Sequence, residues 1–286
     1  MVRNVRKPVV AGQFYPFSKE VLKGEIEKFL NKVKEEKEKN FHGFIVPHAG
    51  YMFSAFCASH AYKKLLHHFP SNFIIIGPNH TGYGTSEFAL TFKDFETPLG
   101  LAKNNKELGK KLLKLTSVDE DDVAHRYEHS IEVQLPFLQF IAEKLGKNFK
   151  FVPIVVSTNN LEKSICFGKQ LGKFLKGKNA CIIASSDFTH YGIAYNFLPF
   201  PPSKDIGRKI YSIDKEAIEK ILKLDSKGFY KEATKTTICG ITPIVIAIET
   251  CKELGSRKAR LLYYSTSADV INDYSTAVGY ASIVFE

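Results

Sequence analysis

Apolar positions fall into two rhythms along the chain. Between residues 18 and 40, Val21, Leu22, Ile26, Phe29, Leu30 and Val33 recur at helical spacing within a dense mixture of Lys and Glu. That spacing predicts an amphipathic surface helix with Ser18 as its N-cap. The stretch from Lys32 to Lys39 interleaves both signs of charge and reads as the solvated end of this helix rather than a nucleic-acid patch. Elsewhere apolar residues come in short unbroken runs: 43–46 before Pro47, 72–76 before Gly77, and 180–184 before Ser185. Unbroken runs of this length suit strands covered on both faces, and helical patterns after the first and third predict an α/β layer fold. Residues 88–92, 151–156, 261–265 and 279–285 read as further strands, and 243–254 as an apolar helix with Thr242 as its cap. With no repeat and no Gly-, Pro- or Ser-rich linker, residues 1–286 are expected to form one α/β domain. A mostly parallel central sheet would be flanked by helices, and residues 196–203, with Pro199, Pro201 and Pro202, would form an extended loop, with a domain boundary there as the less favoured alternative.

Composition narrows the class. A hydrophobic share of 44% over 286 residues supports a large core and excludes disorder as the main state. The formal net charge of +10 favours encounter with anionic partners without fixing one. The N-terminal residues lack an apolar signal core, and the strongest apolar run, 244–248, is far too short to span a bilayer, so no membrane partner is expected. Five cysteines, at 57, 166, 181, 239 and 251, include no CxxC pair and point to a reducing cytoplasm. Neither Gly82-Tyr83-Gly84 nor Lys176-Gly177-Lys178 makes a nucleotide fingerprint, and no basic stripe interleaved with aromatics forms a nucleic-acid platform.

Candidate chemistry lies where the buried-type strands end. Pro47-His48-Ala49-Gly50-Tyr51, Gly77-Pro78-Asn79-His80 and Ser185-Ser186-Asp187-Phe188-Thr189-His190 each place a histidine just beyond an apolar run. Parallel strands bring such loops to one sheet edge, where converging neutral imidazoles suit zinc, iron or copper. Gly50 and Gly77 are read as tight-turn positions. Cys239 precedes a helix N-terminus, where the dipole is expected to lower its thiol pKa, making it a thiolate ligand or a nucleophile. Cys57, Cys166, Cys181 and Cys251 stand among small or apolar neighbours and read as buried, inert thiols. His125-Arg126-Tyr127-Glu128-His129 matches the HxxEH pattern of one zinc-protease class, but Ser130 reads as a cap and Pro136 breaks any continuing helix. His129, Glu128 and Glu132 are expected to approach the crevice from the side. Asp119-Glu120-Asp121-Asp122 lacks calcium-loop spacing and reads as a solvated acidic turn.

The blocks Lys7-Pro8-Val9-Val10-Ala11-Gly12-Gln13-Phe14-Tyr15-Pro16, Val46-Pro47-His48-Ala49-Gly50-Tyr51, Gly77-Pro78-Asn79-His80, Glu128-His129-Ser130-Ile131-Glu132, Ser185-Ser186-Asp187-Phe188-Thr189-His190 and Cys239-Gly240 run nearly end to end. Taken together, in this order, they resemble the Memo family. The resemblance implies a fold similar to class III extradiol dioxygenases, which are non-haem iron enzymes that open catechol rings, and a metal-binding redox role. It implies His48, His80 and Cys239 as metal ligands, with Asp187, His190 and His129 around them. Those dioxygenases place a glutamate where this chain has Cys239, and a thiolate shifts preference toward softer metals such as Cu(I) or zinc. An iron- or copper-dependent oxidoreductase acting on a small molecule is the first expectation. The alternative is a non-enzymatic module that binds metal, or a peptide, phosphopeptide or other protein partner, in the same crevice. A metal-free hydrolase with Cys239 as nucleophile is a third.

Overall fold

The structure, a computed structural model, describes residues 4–34 and 40–286. The predicted solvated tail at 35–39 lies outside the described residues. The N-terminal helix runs Lys19–Lys32, and Ser18 caps it by accepting from the Val21 amide.

Nine described strands build the central sheet, ordered His190–Tyr191, Ala277–Phe285, Gly43–Val46, Ala180–Ser185, Asn72–Pro78, Lys150–Val156, Phe88–Leu90 and Asp119–Glu120; Ala259–Thr266 also pairs with Ala277–Phe285. The four central strands are mutually parallel. Toward both margins the pairing turns antiparallel, through Ala277–Phe285 on one side and Phe88–Leu90 on the other. The sheet is therefore mixed. A small second sheet joins Val5–Arg6, Asp94–Thr97 and Gly100–Ala102.

The unbroken apolar runs are explained by a core on each face. Phe44, Val46, Phe73, Ile75 and Ile183 point to one side, among residues of the helices Lys19–Lys32, Tyr51–Tyr62 and Leu135–Leu145. Ile45, Ile74, Ile76, Ile182 and Ala184 point to the other, among residues of Leu161–Leu175, Ile206–Leu222 and Ile241–Leu254. Both parities of each strand are buried, so no polar alternation is possible. The strict strand–helix alternation holds less well: Tyr51–Tyr62 follows its strand closely, whereas Ala180–Ser185 leads through His190–Tyr191 and a long loop before Ile206–Leu222 begins.

Register places the site. Val46 lies opposite Ser185 and Ala184 opposite Ile76, so three parallel strands end at one edge of the sheet. The residues just beyond those ends are His48, Asp187 and His80.

Candidate metal centre

His48, His80 and His129 each offer a ring nitrogen, and these atoms lie within 4.8 Å of one another. The His48 and His80 rings meet edge-on at 5.0 Å, while His80 and His129 stack at 4.7 Å. Cys239 arrives from the other side of the sheet edge, its Sγ 3.3 Å from His48 Nε2 and within hydrogen-bonding reach of His80. The helix Ile241–Leu254 carries it there: the Gly240 amide donates to Ser186 Oγ at 3.0 Å, and the Asp187 amide donates to Cys239 Sγ at 3.3 Å. Gly240 is required by close approach, since a Cβ there would lie 2.4 Å from Ser186 Cβ.

The hydrogen-bond network fixes which ring nitrogens face the cluster. Ser185 Oγ donates its one proton to the Ser130 carbonyl at 2.7 Å, so toward His48 Nδ1 and Gln134 Nε2 it acts only as acceptor. His48 Nδ1 therefore carries the hydrogen, and Nε2 turns a lone pair to the cluster. His80 Nδ1 donates to Glu128 Oε1 at 2.9 Å, so Nε2 is the nitrogen that faces the cluster. His190 Nδ1 donates to the Thr237 carbonyl at 3.0 Å, and again Nε2 is left to accept.

Glu128 organises two of the histidines. Its carboxylate takes the His80 backbone amide at 2.6 Å and the Ser130 amide at 2.8 Å, and lies 3.6 Å from His129 Nδ1. Burial opposes its charge, yet His80, His129 and the Ser130 amide hold its pKa at about 2. Burial first, and then the neighbouring His80, push the His48 imidazole well below the ordinary range, and burial also lowers His129, so both are neutral at pH 7. His80 differs: burial pulls it down, but Cys239 and Glu128 outweigh that and raise it to about 10. Burial raises Asp187, whose Oδ1 accepts the amides of His48 and Ala49 at 2.8 and 3.3 Å.

This donor set fits a transition metal. Three imidazoles cluster with the Cys239 thiol beside His48 and His80; His48 Nε2 turns a lone pair inward, and His80 Nε2 would do so on giving up its proton to the metal. Nitrogens on a tetrahedral ion are roughly 3.4 Å apart, so the histidines would draw together slightly on binding.

Comparison with known proteins gives the lineage. A sequence model described as Memo-like protein matches residues 6–284. The chain belongs to the Memo family. It is 39% identical to a MEMO1 family protein of Pyrococcus abyssi, over 98% of this chain and 99% of that protein. A MEMO1 family protein of Methanosarcina mazei is likewise 39% identical, over 99% and 100%. The crystal structure of an uncharacterized protein from Escherichia coli K12 matches with a TM-score of 0.54 at 10% identity, over 86% of this chain and 100% of that one. At that identity the likeness is one of fold.

In this Memo-family chain all six residues singled out from the sequence meet at one place. His48, His80, His129, Asp187 and His190 line a cavity of about 490 Å³, and Cys239 touches His48 and Asp187 from beneath. The dipole does not govern the Cys239 thiol, whose pKa burial raises. Its helix starts two residues before Pro243, with Gly240 rather than Thr242 at the N-cap. Cys166 is exposed, whereas Cys57, Cys181 and Cys251 are buried. Gly77 serves close packing rather than a turn, since a Cβ there would lie 2.2 Å from Ser130 Oγ; Gly50 has ordinary room and an ordinary φ of −53°. His125 ends the short helix Asp122–His125 and is hydrogen-bonded to the Ala89 carbonyl, away from His129, so the HxxEH spacing is not a helical ligand pair. Ser130 caps no helix; it bonds the Pro78 carbonyl. Of the acidic run, Asp119–Glu120 is an exposed strand, while Asp121 caps the helix after it and accepts from Thr85 and Ser86. Glu132 turns away from the histidines and pairs with Arg6 at 2.6 Å, both buried. No described helix is long and apolar enough to cross a membrane.

Proposed function

We propose that this chain is a metal-dependent redox protein, holding iron or copper through His48 Nε2, His80 Nε2 and Cys239 Sγ, with His129 as a further donor at the same cluster. The supporting observation is the convergence of these donors, with Ser185 and Glu128 holding the Nδ1 sides of His48 and His80 so that Nε2 of each faces the cluster. Zinc suits the same ligands. When bound, the metal would supply Lewis acidity and electron transfer.

The chain's own groups supply the rest. His190 Nε2, with its proton-bearing Nδ1 tied to the Thr237 carbonyl, accepts a proton from a substrate hydroxyl. The ring is held further by the edge of Tyr195 at 4.9 Å. Asp187 pins the loop carrying His48 through two backbone amides and is a positioning residue. Phe14 packs edge-on against His129 at 4.9 Å and helps exclude water.

Oxygen uptake by the anaerobically Fe(II)-loaded protein, screened over simple catechols, tests the enzymatic reading. The expected result is turnover that His190→Ala abolishes without loss of metal; silence over the panel would favour a binding module. That second reading draws on the apolar rim, since Ile271 lines the cavity at 49% exposure and Ile193, two residues from Tyr195, is 84% exposed.

A further inference from the structure

The cavity in front of the histidines lacks the lysines and arginines that dominate the charge of the whole chain, and apart from its histidines it offers no basic side chain. The chain carries +10, yet among the described residues lining the cavity there is neither a lysine nor an arginine. Its acidic residues are Asp187, buried at the base, and Asp273, half-exposed on the loop after the helix Ala268–Ile271. Asp273 Oδ1 is held by the amide and hydroxyl of Ser275 at 2.8 and 2.7 Å, and among the described residues Asp273 forms no ion pair. A carboxylate without a partner cation, on a chain with ten more basic than acidic groups, is available to a ligand.

Apart from the histidines and the neutral polar Gln13, Ser267 and Thr276, the remaining wall is apolar and aromatic. Phe14, Phe53, Tyr195, Val278 and Tyr280 surround a space of about 490 Å³, enough for one or two rings. A flat ring is favoured because aromatic pairs gain from edge and offset contacts beyond the area they bury. With the ring directed at the histidines, a side chain ending in carboxylate or phosphate would lie at the Asp273 rim, away from His80 and with no lysine or arginine in the wall to receive it.

We infer that this cavity takes a small aromatic molecule bearing a protonated amine, with its ring against Phe14, Phe53 and Tyr280 and its ammonium on Asp273. The inference rests on the cavity being the substrate pocket of the proposed metal centre, and it names the substrate class. The Asp273 contact is independent of which metal is bound.

Calorimetric binding to the full chain, zinc-loaded and metal-stripped, tests this with three probes of matched shape: tyramine, 4-ethylphenol and 3-(4-hydroxyphenyl)propanoate. Tyramine is expected to bind about fivefold tighter than 4-ethylphenol, the upper range for a partly exposed ion pair, and the propanoate weakest. In Asp273→Asn the Oδ1 acceptor for Ser275 is kept, so 4-ethylphenol affinity is expected to hold while tyramine falls to its level. Propanoate binding as tightly as tyramine, a tyramine preference that survives Asp273→Asn, or no binding of any probe at millimolar concentration would each overturn the inference. The redox reading fails separately: an Asp273-dependent amine preference in a protein that takes up no transition metal would keep this inference and remove that one.

Discussion

Replacing Glu128 by glutamine changes one atom and removes one charge, and its effect on metal affinity can be worked from the structure. The carboxylate receives three N–H groups: the His80 amide at Oε2, and His80 Nδ1 and the Ser130 amide at Oε1. Glutamine offers one oxygen, so its NH2 group must face at least one of these donors. Leaving a buried donor unpaired costs about 1–3 kcal/mol. The ring can escape this by moving its proton from Nδ1 to Nε2, but then an N–H rather than a lone pair points into the cluster. Either outcome weakens coordination, and loss of such a supporting carboxylate typically lowers metal affinity about 10–100-fold, or about 1.4–2.7 kcal/mol. Competition against a chelator of known affinity, with Zn(II) as a redox-inert probe, measures this directly. An affinity within twofold of wild type, in a preparation where His48→Ala abolishes binding, would refute the role given to Glu128.

Three further outcomes follow from named contacts. In the metal-free protein His80 is raised to about 10 from 6.5, so its contribution to stability is fully present below pH 6.5 and is lost as pH rises through about 10; a metal must displace that proton, and since pH 6 and pH 8 both lie below about 10 the competition eases between them, so thermal stabilisation by Zn(II) should grow from pH 6 to pH 8. Arg6→Met leaves buried Glu132 without its cation; the amides of Val9 and Val10 and the Tyr15 hydroxyl still donate to it, so a loss of about 3 kcal/mol is expected by denaturant titration, near the low end for a broken buried pair. Gly240→Ala drives a Cβ to 2.4 Å from Ser186 Cβ, and should cost about 1–3 kcal/mol of stability while weakening metal binding, because Cys239 and Asp187 adjoin the displaced residues.

The histidines at 48, 80 and 190 were legible because each interrupts the polarity of a buried strand at its end, and parallel register then carries them to one edge. Strand direction at the margins was not legible: Ala277–Phe285 is buried along its whole length, and a run apolar on both faces looks the same in either orientation. The place of His129 within the cluster has no local signal, since it lies on a loop whose course depends on Arg6, which donates to the carbonyls of His125 and Glu128 from far away in sequence. Ser185, Gln134 and Thr237, which fix the ring tautomers, are ordinary polar residues with no pattern of their own. Cys166 is exposed although its neighbours Ile165 and Phe167 are buried, because a helix turns about 100° per residue and carries the thiol between them to solvent.

The most direct measurement is elemental analysis of anaerobically purified protein combined with a structure of the metal-bound chain. One iron or copper ion per chain, bonded to His48 Nε2, His80 Nε2 and Cys239 Sγ, is the predicted result. Absence of any transition metal even after reconstitution, or metal retained unchanged when His48, His80 and Cys239 are all replaced by alanine, would contradict it.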